Sequence, residues 1–301
     1  MASLRERIAR ARETLIGAGI PAANAALDAD LLARHALGWD RARLVADGRD
    51  RAPAGFDAAY DPLVARRATR EPIAYIIGHR EFWGLDFEVT PDVLIPRPET
   101  EFIVEEALAA YRDAQPGLIV DIGTGSGCLA IALALEFPNA ELIATDVSLA
   151  ALNVARRNAV RHGVTPRIAF VQTDLMPRSS KINLIVSNPP YVPLPDAPTL
   201  APDVRAYEPR IALYADADGL GVYRRLLPET HGYATRAENT RLIVEVGYDQ
   251  DAAVTALAVA AGWTLERARQ DLQGITRTLV FRCEWPEEDE RSEEGDADDE
   301  E

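Results

Sequence analysis

Leu118-Ile119-Val120-Asp121-Ile122-Gly123-Thr124-Gly125-Ser126-Gly127-Cys128 runs from an apolar strand-like stretch through three closely spaced glycines into an apolar helical run. Glycines there let the backbone turn sharply and approach a ligand closely. Outward from this stretch the chain alternates between two periodicities. Strands are predicted at 118–122, 141–145, 167–172, 182–187 and 241–246, with helices running from Ser126, Ser148, Gly219 and Gln250. Continuous apolar runs such as Leu184-Ile185-Val186 suit strands buried on both faces. The pattern therefore predicts an α/β fold with a doubly wound, mostly parallel sheet. A last short alternating run at 276–282 predicts an added antiparallel strand.

The chain on the N-terminal side has a different character. Leu4, Ile8, Leu15 and Ile16, then Leu27, Leu31, Leu32 and Leu37, recur at helical spacing, with Pro21, Gly48, Pro53 and Pro72 as breaks. With 12 bases and 10 acids in residues 1–75, this region is nearly neutral and carries no evident chemistry. Leu85, Phe87 and Val89 alternate with Asp86 and Glu88, which reads as a strand of a short hairpin. The expected organisation is a helical bundle over 1–77, a β-hairpin linker over 78–98, the α/β domain over 99–285 and an acidic, disordered tail over 286–301. Residues 192–218 hold five prolines in 27 positions and read as a long irregular loop, a feature that is usually functional or disordered.

Composition removes several function classes. The 301 residues are 48% hydrophobic, enough for buried cores, and the net charge is -16. Residues 286–301 hold 11 acids and one base, so most of that charge belongs to the tail. A protein coating nucleic acid would need a positive excess to release phosphate counterions, and none is present. No run of 18 apolar residues offers a membrane span, and the first residues lack the apolar core of a secretory signal, so a cytoplasmic location is expected. Two cysteines, Cys128 and Cys283, and four scattered histidines form no metal-ligand pattern, so no metal is expected.

Two motifs carry the chemistry. A dinucleotide fingerprint would place its last glycine at Cys128; the spacing of Gly123, Gly125 and Gly127 instead matches the loop of enzymes that bind S-adenosylmethionine, with Thr124 and Ser126 between the glycines. Asp146, nineteen residues beyond Gly127, closes the second strand, where a carboxylate can accept from both ribose hydroxyls. Asp174, after the third strand, stands where an acid can hold the adenine amino group, with Leu175 beside it. The second motif is Ser187-Asn188-Pro189-Pro190-Tyr191, after the fourth strand. A planar NH2 on a carbonyl or aromatic ring is a poor nucleophile because its lone pair is delocalised. The Asn188 side-chain carbonyl and the Pro189 backbone carbonyl can each accept one of its hydrogens, Pro190 stiffens the backbone, and Tyr191 offers a flat face for packing. Asn188 can also touch the methionine part of the cofactor. Cys128 reads as a small apolar residue behind the loop.

These residues together resemble the peptide chain release factor glutamine methyltransferases of the HemK/PrmC type. The resemblance covers residues 1 to about 283. It includes Glu71-Pro72-Ile73-Ala74-Tyr75-Ile76-Ile77-Gly78, Glu81-Phe82-Trp83-Gly84 and Leu94-Ile95-Pro96-Arg97-Pro98-Glu99-Thr100-Glu101 beside the two motifs above, with Asp203-Val204 and Glu208-Pro209 in the proline-rich stretch. It implies a Rossmann-like methyltransferase domain that moves a methyl group from S-adenosylmethionine to the side-chain amide nitrogen of the glutamine in the Gly-Gly-Gln tripeptide of class-1 release factors. It also implies that the N-terminal bundle helps grip the release factor. A monomer is expected. Some relatives carry an aromatic residue where Leu175 stands, so aliphatic packing would replace stacking on adenine. The acidic tail has no counterpart in the family pattern.

Asn-Pro-Pro-Tyr is shared with adenine-amino methyltransferases of DNA, which makes a nucleic-acid methyltransferase the alternative. Such an enzyme would need a basic region to read its target. The near-neutral bundle and a net charge of -8 over residues 76–285 argue against direct nucleic-acid binding. A binding module without catalysis would have no use for a poised amide clamp.

Overall fold

A computed structural model describes residues 3–177, 182–234 and 240–283. The expected acidic tail lies outside the described residues. The N-terminal region consists of five helices: α1 (Leu4–Gly17), α2 (Ala22–Leu37), α3 (Arg41–Asp47), α4 (Phe56–Ala68) and α5 (Ile73–Ile77). The expected breaks fall between them: Pro21 and Pro72 precede α2 and α5, and Gly48 ends α3. Ser3 and Glu6 cap α1 reciprocally. Leu4, Leu15, Leu32, Phe56 and Tyr60 fill the bundle's own core. The short helix α5 faces two ways. Ile76 packs into the bundle, whereas Ala74 and Tyr75 pack with Val89, Val93 and Ile95.

A hairpin follows, β1 (His79–Phe82) against β2 (Leu85–Glu88), with Trp83 and Gly84 both at positive φ in the turn. The Glu101 carboxylate accepts from the Trp83 amide at 2.8 Å, which pins the turn to the start of α6 (Glu101–Ala110).

The α/β domain then runs β3 (Leu118–Ile122), α7 (Cys128–Glu136), β4 (Glu141–Asp146), α8 (Leu149–Arg161), β5 (Ile168–Gln172), β6 (Leu184–Ser187), α9 (Pro202–Tyr207), α10 (Arg210–Leu213), α11 (Gly221–Tyr233), β7 (Arg241–Glu245), α12 (Asp251–Ala260), β8 (Trp263–Gln270) and β9 (Thr276–Cys283). Sheet order is β5-β4-β3-β6-β7-β9-β8, parallel through β7 and antiparallel at β9 and β8. Alternate residues along the strands feed two cores. Ile119, Leu184, Val186 and Ile243 face α6 and α7, while Val120, Ile185, Leu242 and Val244 face α11 and α12. Strand order reverses between β3 and β6, and ligands of such sheets bind beyond the carboxyl ends at that point.

Two expectations need correction. β8 was not expected, because only its first residue, Trp263, is buried. Its other side chains are polar or exposed, and Arg267 and Arg269 reach Glu106 and Glu105 on α6, which suits an edge strand. The proline-rich stretch is also more regular than expected. Pro202 starts α9, where its missing N–H costs nothing, and a 3-10 turn spans Leu194–Thr199.

Candidate active site

The glycine loop leaves β3 at Ile122 and enters α7 at Cys128. The amides of Gly123 and Thr124 donate to the Thr145 carbonyl at 2.9 and 2.8 Å, tying the loop to β4. Asp121 anchors it from beneath: one carboxylate oxygen accepts from the Thr124 hydroxyl at 2.6 Å and from the Ala130 amide at 3.1 Å. Its other oxygen is buried without a hydrogen-bond partner, and burial pushes the Asp121 carboxyl up to about 7.

A cavity of about 380 Å³ opens above the loop at the sheet's carboxyl edge. Among the sequence-predicted residues, Gly123, Thr124, Gly125, Ser126, Asp146, Asp174, Leu175, Asn188, Pro189 and Pro190 line it. Gly127 and Tyr191 do not. Gly127 turns into α7 at φ +82°, and a Cβ there would sit 3.0 Å from the Ala155 Cβ, so it packs closely against α8. The Tyr191 hydroxyl donates to Glu245 Oε1 at 3.0 Å. That bond anchors the ring expected to offer the substrate a flat face.

Asp146 closes β4, as its strand position predicts. Burial raises its carboxyl above the ordinary range, opposed by hydrogen bonds from the Ser148, Gly125 and Val147 amides. Asp174 is exposed and ion-paired with Arg225 of α11, which also lines the cavity. An adenine amino group there would share Asp174 with that arginine. Leu175 is buried at φ +67°, and its carbonyl accepts from the Thr145 hydroxyl at 2.9 Å. Cys128 lines the wall as a buried thiol; burial pushes it up to about 12, so it stays protonated and apolar in character.

Several wall residues were not read as site residues from the sequence. Pro96, Arg97 and Thr100 bring the Ile-Pro-Arg-Pro-Glu-Thr-Glu segment into the cavity. Arg97 is held by the buried Glu208 at 2.6 Å, which joins that segment to the proline-rich stretch. Glu245, at the end of β7, sits behind the wall. Its two oxygens accept from Thr100 and Tyr191, and burial pushes it up to about 6. An acid inside the apolar run Leu242-Ile243-Val244-Glu245-Val246 was the available signal.

Comparison with known proteins places the chain among its relatives. A PrmC N-terminal domain model matches residues 6–78, and a methyltransferase small domain model matches residues 100–196. The release factor glutamine methyltransferase of Burkholderia pseudomallei is 44% identical over 260 residues, covering 84% of this chain and 90% of that protein. Its counterpart in Geobacter sulfurreducens is 43% identical over 269 residues, covering 86% and 90%. Among solved structures, the hMettl16 catalytic domain in complex with the MAT2A 3'UTR hairpin 6 aligns with a TM-score of 0.53 at 16% identity, over 73% of this chain and 81% of that one. That last likeness is one of fold.

Proposed function

The chain belongs to the release factor glutamine methyltransferase family, and from that premise we propose that Asn188 and Pro189 hold the substrate amide in this cavity. The enzyme methylates the side-chain amide nitrogen of the glutamine in the Gly-Gly-Gln motif of class-1 release factors, using S-adenosylmethionine. The single observation that carries the proposal is that Asn188 and Pro189 share one cavity with Gly123, Gly125 and Asp146.

The wall fits the cofactor. A Cβ built on Gly123 or Gly125 would meet nothing within 4 Å, so the loop leaves open room on its cavity side. Asp146 is there to accept ribose hydroxyls, Asp174 to accept from the adenine amino group, and Leu175 to pack on the ring. S-adenosylmethionine supplies an electrophilic methyl group on a cationic sulfur. The protein's task is to orient a weak nucleophile. With its two hydrogens taken by the Asn188 side-chain carbonyl and the Pro189 backbone carbonyl, the amide nitrogen is held with its lone pair free of the clamp. Buried Pro189 and the adjoining Pro190 keep those acceptors in place, and Tyr191 braces them from behind. Removing water around a cationic leaving group strengthens each of these contacts.

The remaining roles follow from the same reading. Residues 1–77 grip the release factor, the hairpin of 78–98 links them to the catalytic domain of 99–285, and the enzyme acts as a cytoplasmic monomer that does not bind nucleic acid directly. The near-neutral bundle and the acidic balance of the rest support the last point. Among the described residues, no helix is long and apolar enough to cross a membrane.

The test is Asn188→Ala. Turnover should fall by about 100-fold or more, the scale of a lost orienting contact, with cofactor affinity kept within about tenfold. Near-normal turnover overturns the clamp.

A further inference from the structure

Beside the clamp lie two buried polar groups that the reaction itself does not call on. Thr100 is 3% exposed and Glu245 is 2% exposed. Asn188 Nδ2 donates to Thr100 Oγ1 at 3.0 Å, and Thr100 Oγ1 donates onward to Glu245 Oε2 at 2.6 Å. The second Glu245 oxygen is engaged by the Tyr191 hydroxyl at 3.0 Å. Three elements far apart in sequence thus meet: the turn before α6, the end of β7 and the segment after β6.

The direction of this chain of bonds is fixed by donor counting. An ionised carboxylate only accepts, and a threonine hydroxyl has one hydrogen to give. Once Thr100 gives it to Glu245, its oxygen can only accept from Asn188. A flipped Asn188 amide would set its own oxygen against that oxygen, two acceptors face to face with no hydrogen between them, which is unfavourable away from bulk water. The NH2 end of Asn188 is thereby committed to Thr100. Its carbonyl is the end left for the cavity.

We infer that Thr100 and Glu245 are positioning residues that fix the orientation of the Asn188 side-chain amide, so that the clamp presents an acceptor and selects a nucleophile bearing N–H groups. The inference rests on the clamp reading above and deepens it. It explains how a side chain with a donor end and an acceptor end discriminates. A carboxamide nitrogen offers hydrogens to the clamp, whereas a carboxylate of the same shape offers only lone pairs.

The experiment compares full-length Thr100→Val, Thr100→Ser, Glu245→Gln and Asn188→Ala on intact release factor at saturating S-adenosylmethionine, with cofactor Kd measured by calorimetry. Thr100→Val should lower kcat by about 30-fold or more, toward the ~100-fold scale of a misplaced reacting group, while cofactor Kd stays within about threefold. Thr100→Ser keeps the hydroxyl and should return kcat to within about threefold of wild type. Glu245→Gln offers one donor and one acceptor to two hydroxyls, so it should lower kcat by about fivefold or more. A Thr100→Val enzyme that binds cofactor normally and keeps kcat within about threefold overturns the inference. So does equal impairment of the Val and Ser variants, or a change confined to KM, since packing alone would give either. If Thr100→Val does not bind cofactor, Glu245→Gln decides by the same kcat criterion. Asn188→Ala separates the two levels: an active Asn188→Ala enzyme removes the clamp itself, and an inactive one beside an active Thr100→Val enzyme removes only the positioning role.

Discussion

The Gly125 amide donates to Asp146 Oδ2 at 3.0 Å, so the tip of the glycine loop is bound to the end of the neighbouring strand. The other oxygen, Oδ1, accepts from the Ser148 amide at 2.8 Å, where α8 begins. One carboxylate therefore shapes the loop and stands in the cavity wall at once.

Asp146→Ala should weaken S-adenosylmethionine binding by about 1.5–3 kcal/mol, the range for a hydrogen bond to a charged group. That is roughly 10- to 150-fold in Kd. Calorimetry on the purified variant reads it directly. An unchanged Kd would mean that ribose hydroxyls lie elsewhere in the cavity.

Two loop glycines should separate stability from binding. Gly127→Ala combines φ +82° with a Cβ only 3.0 Å from Ala155, at the contact between α7 and α8. A loss of about 2 kcal/mol is expected from backbone strain and overpacking together, seen as a Tm drop of about 4–8 °C. Gly123→Ala has φ +72° but open space around its Cβ. It should cost only about 1 kcal/mol in stability and weaken the cofactor more than Gly127→Ala does. Thermal melts and calorimetry on both variants give the comparison, and equal Tm losses would count against the assignment of Gly127 to packing.

The parallel strands were legible in the sequence because burial on both faces leaves an apolar run, as in Leu184-Ile185-Val186. The antiparallel edge strand β8 was not, since its backbone pairs with β9 while Arg267 and Arg269 point to charged partners. The glycine loop and Asp146 could be read because one follows β3 and the other ends β4 at fixed spacing. The Thr100–Glu245 contact could not, since it joins positions 145 apart and exists only once β7 lies beside β6. The Tyr191 hydroxyl's bond to Glu245 is likewise not legible, because nothing local in the sequence shows a buried carboxylate within its reach.

That carboxylate makes activity pH-dependent. Burial pushes Glu245 from 4.5 up to about 6, opposed by the Thr100 and Tyr191 hydroxyls; Glu99 raises it further and Arg277 lowers it, while Tyr223 donates to its backbone carbonyl. Ionised Glu245 is an acceptor only, so at saturating cofactor kcat should hold above about pH 7 and fall as pH drops through about 6. Stability runs the other way. A raised folded-state pKa means the folded protein binds the proton more tightly, so this group's contribution worsens as pH rises from about 4.5 to about 6, by about 2 kcal/mol in all. Glu245→Gln should flatten both limbs. An acid limb in kcat that survives Glu245→Gln would assign it to another group.

The bundle is tied to the active site through the proline-rich stretch, and this shapes the test of its docking role. Arg67, 5% exposed, pairs with Asp28 at 2.7 Å and reaches Asp203 of α9 at 3.3 Å; Arg70 meets Asp203 at 2.8 Å, and the Tyr207 hydroxyl donates to the Thr69 carbonyl at 2.8 Å. The residue after Tyr207 is Glu208, which holds Arg97 in the cavity wall. Removing the bundle thus removes any grip on the release factor and also frees one end of this stretch. The cut must spare α5, because Ala74 and Tyr75 pack with Val93 and Ile95, and the Tyr75 hydroxyl donates to the Val93 carbonyl at 2.6 Å. A chain starting at Glu71 should still bind S-adenosylmethionine and should methylate a short Gly-Gly-Gln peptide within about threefold of the full chain. On intact release factor its kcat/KM should fall by about tenfold or more, because a second contact raises the effective concentration of a glutamine held on a large partner. Full-length Asp203→Ala, which loosens the stretch but keeps the bundle, should retain most activity on the protein substrate. If the shortened chain modifies intact release factor as well as the full chain does, the bundle is not a docking module. If it loses peptide and protein activity equally, the bundle acts on the cavity through Asp203 and Glu208, and the Asp203→Ala enzyme should then show the same loss.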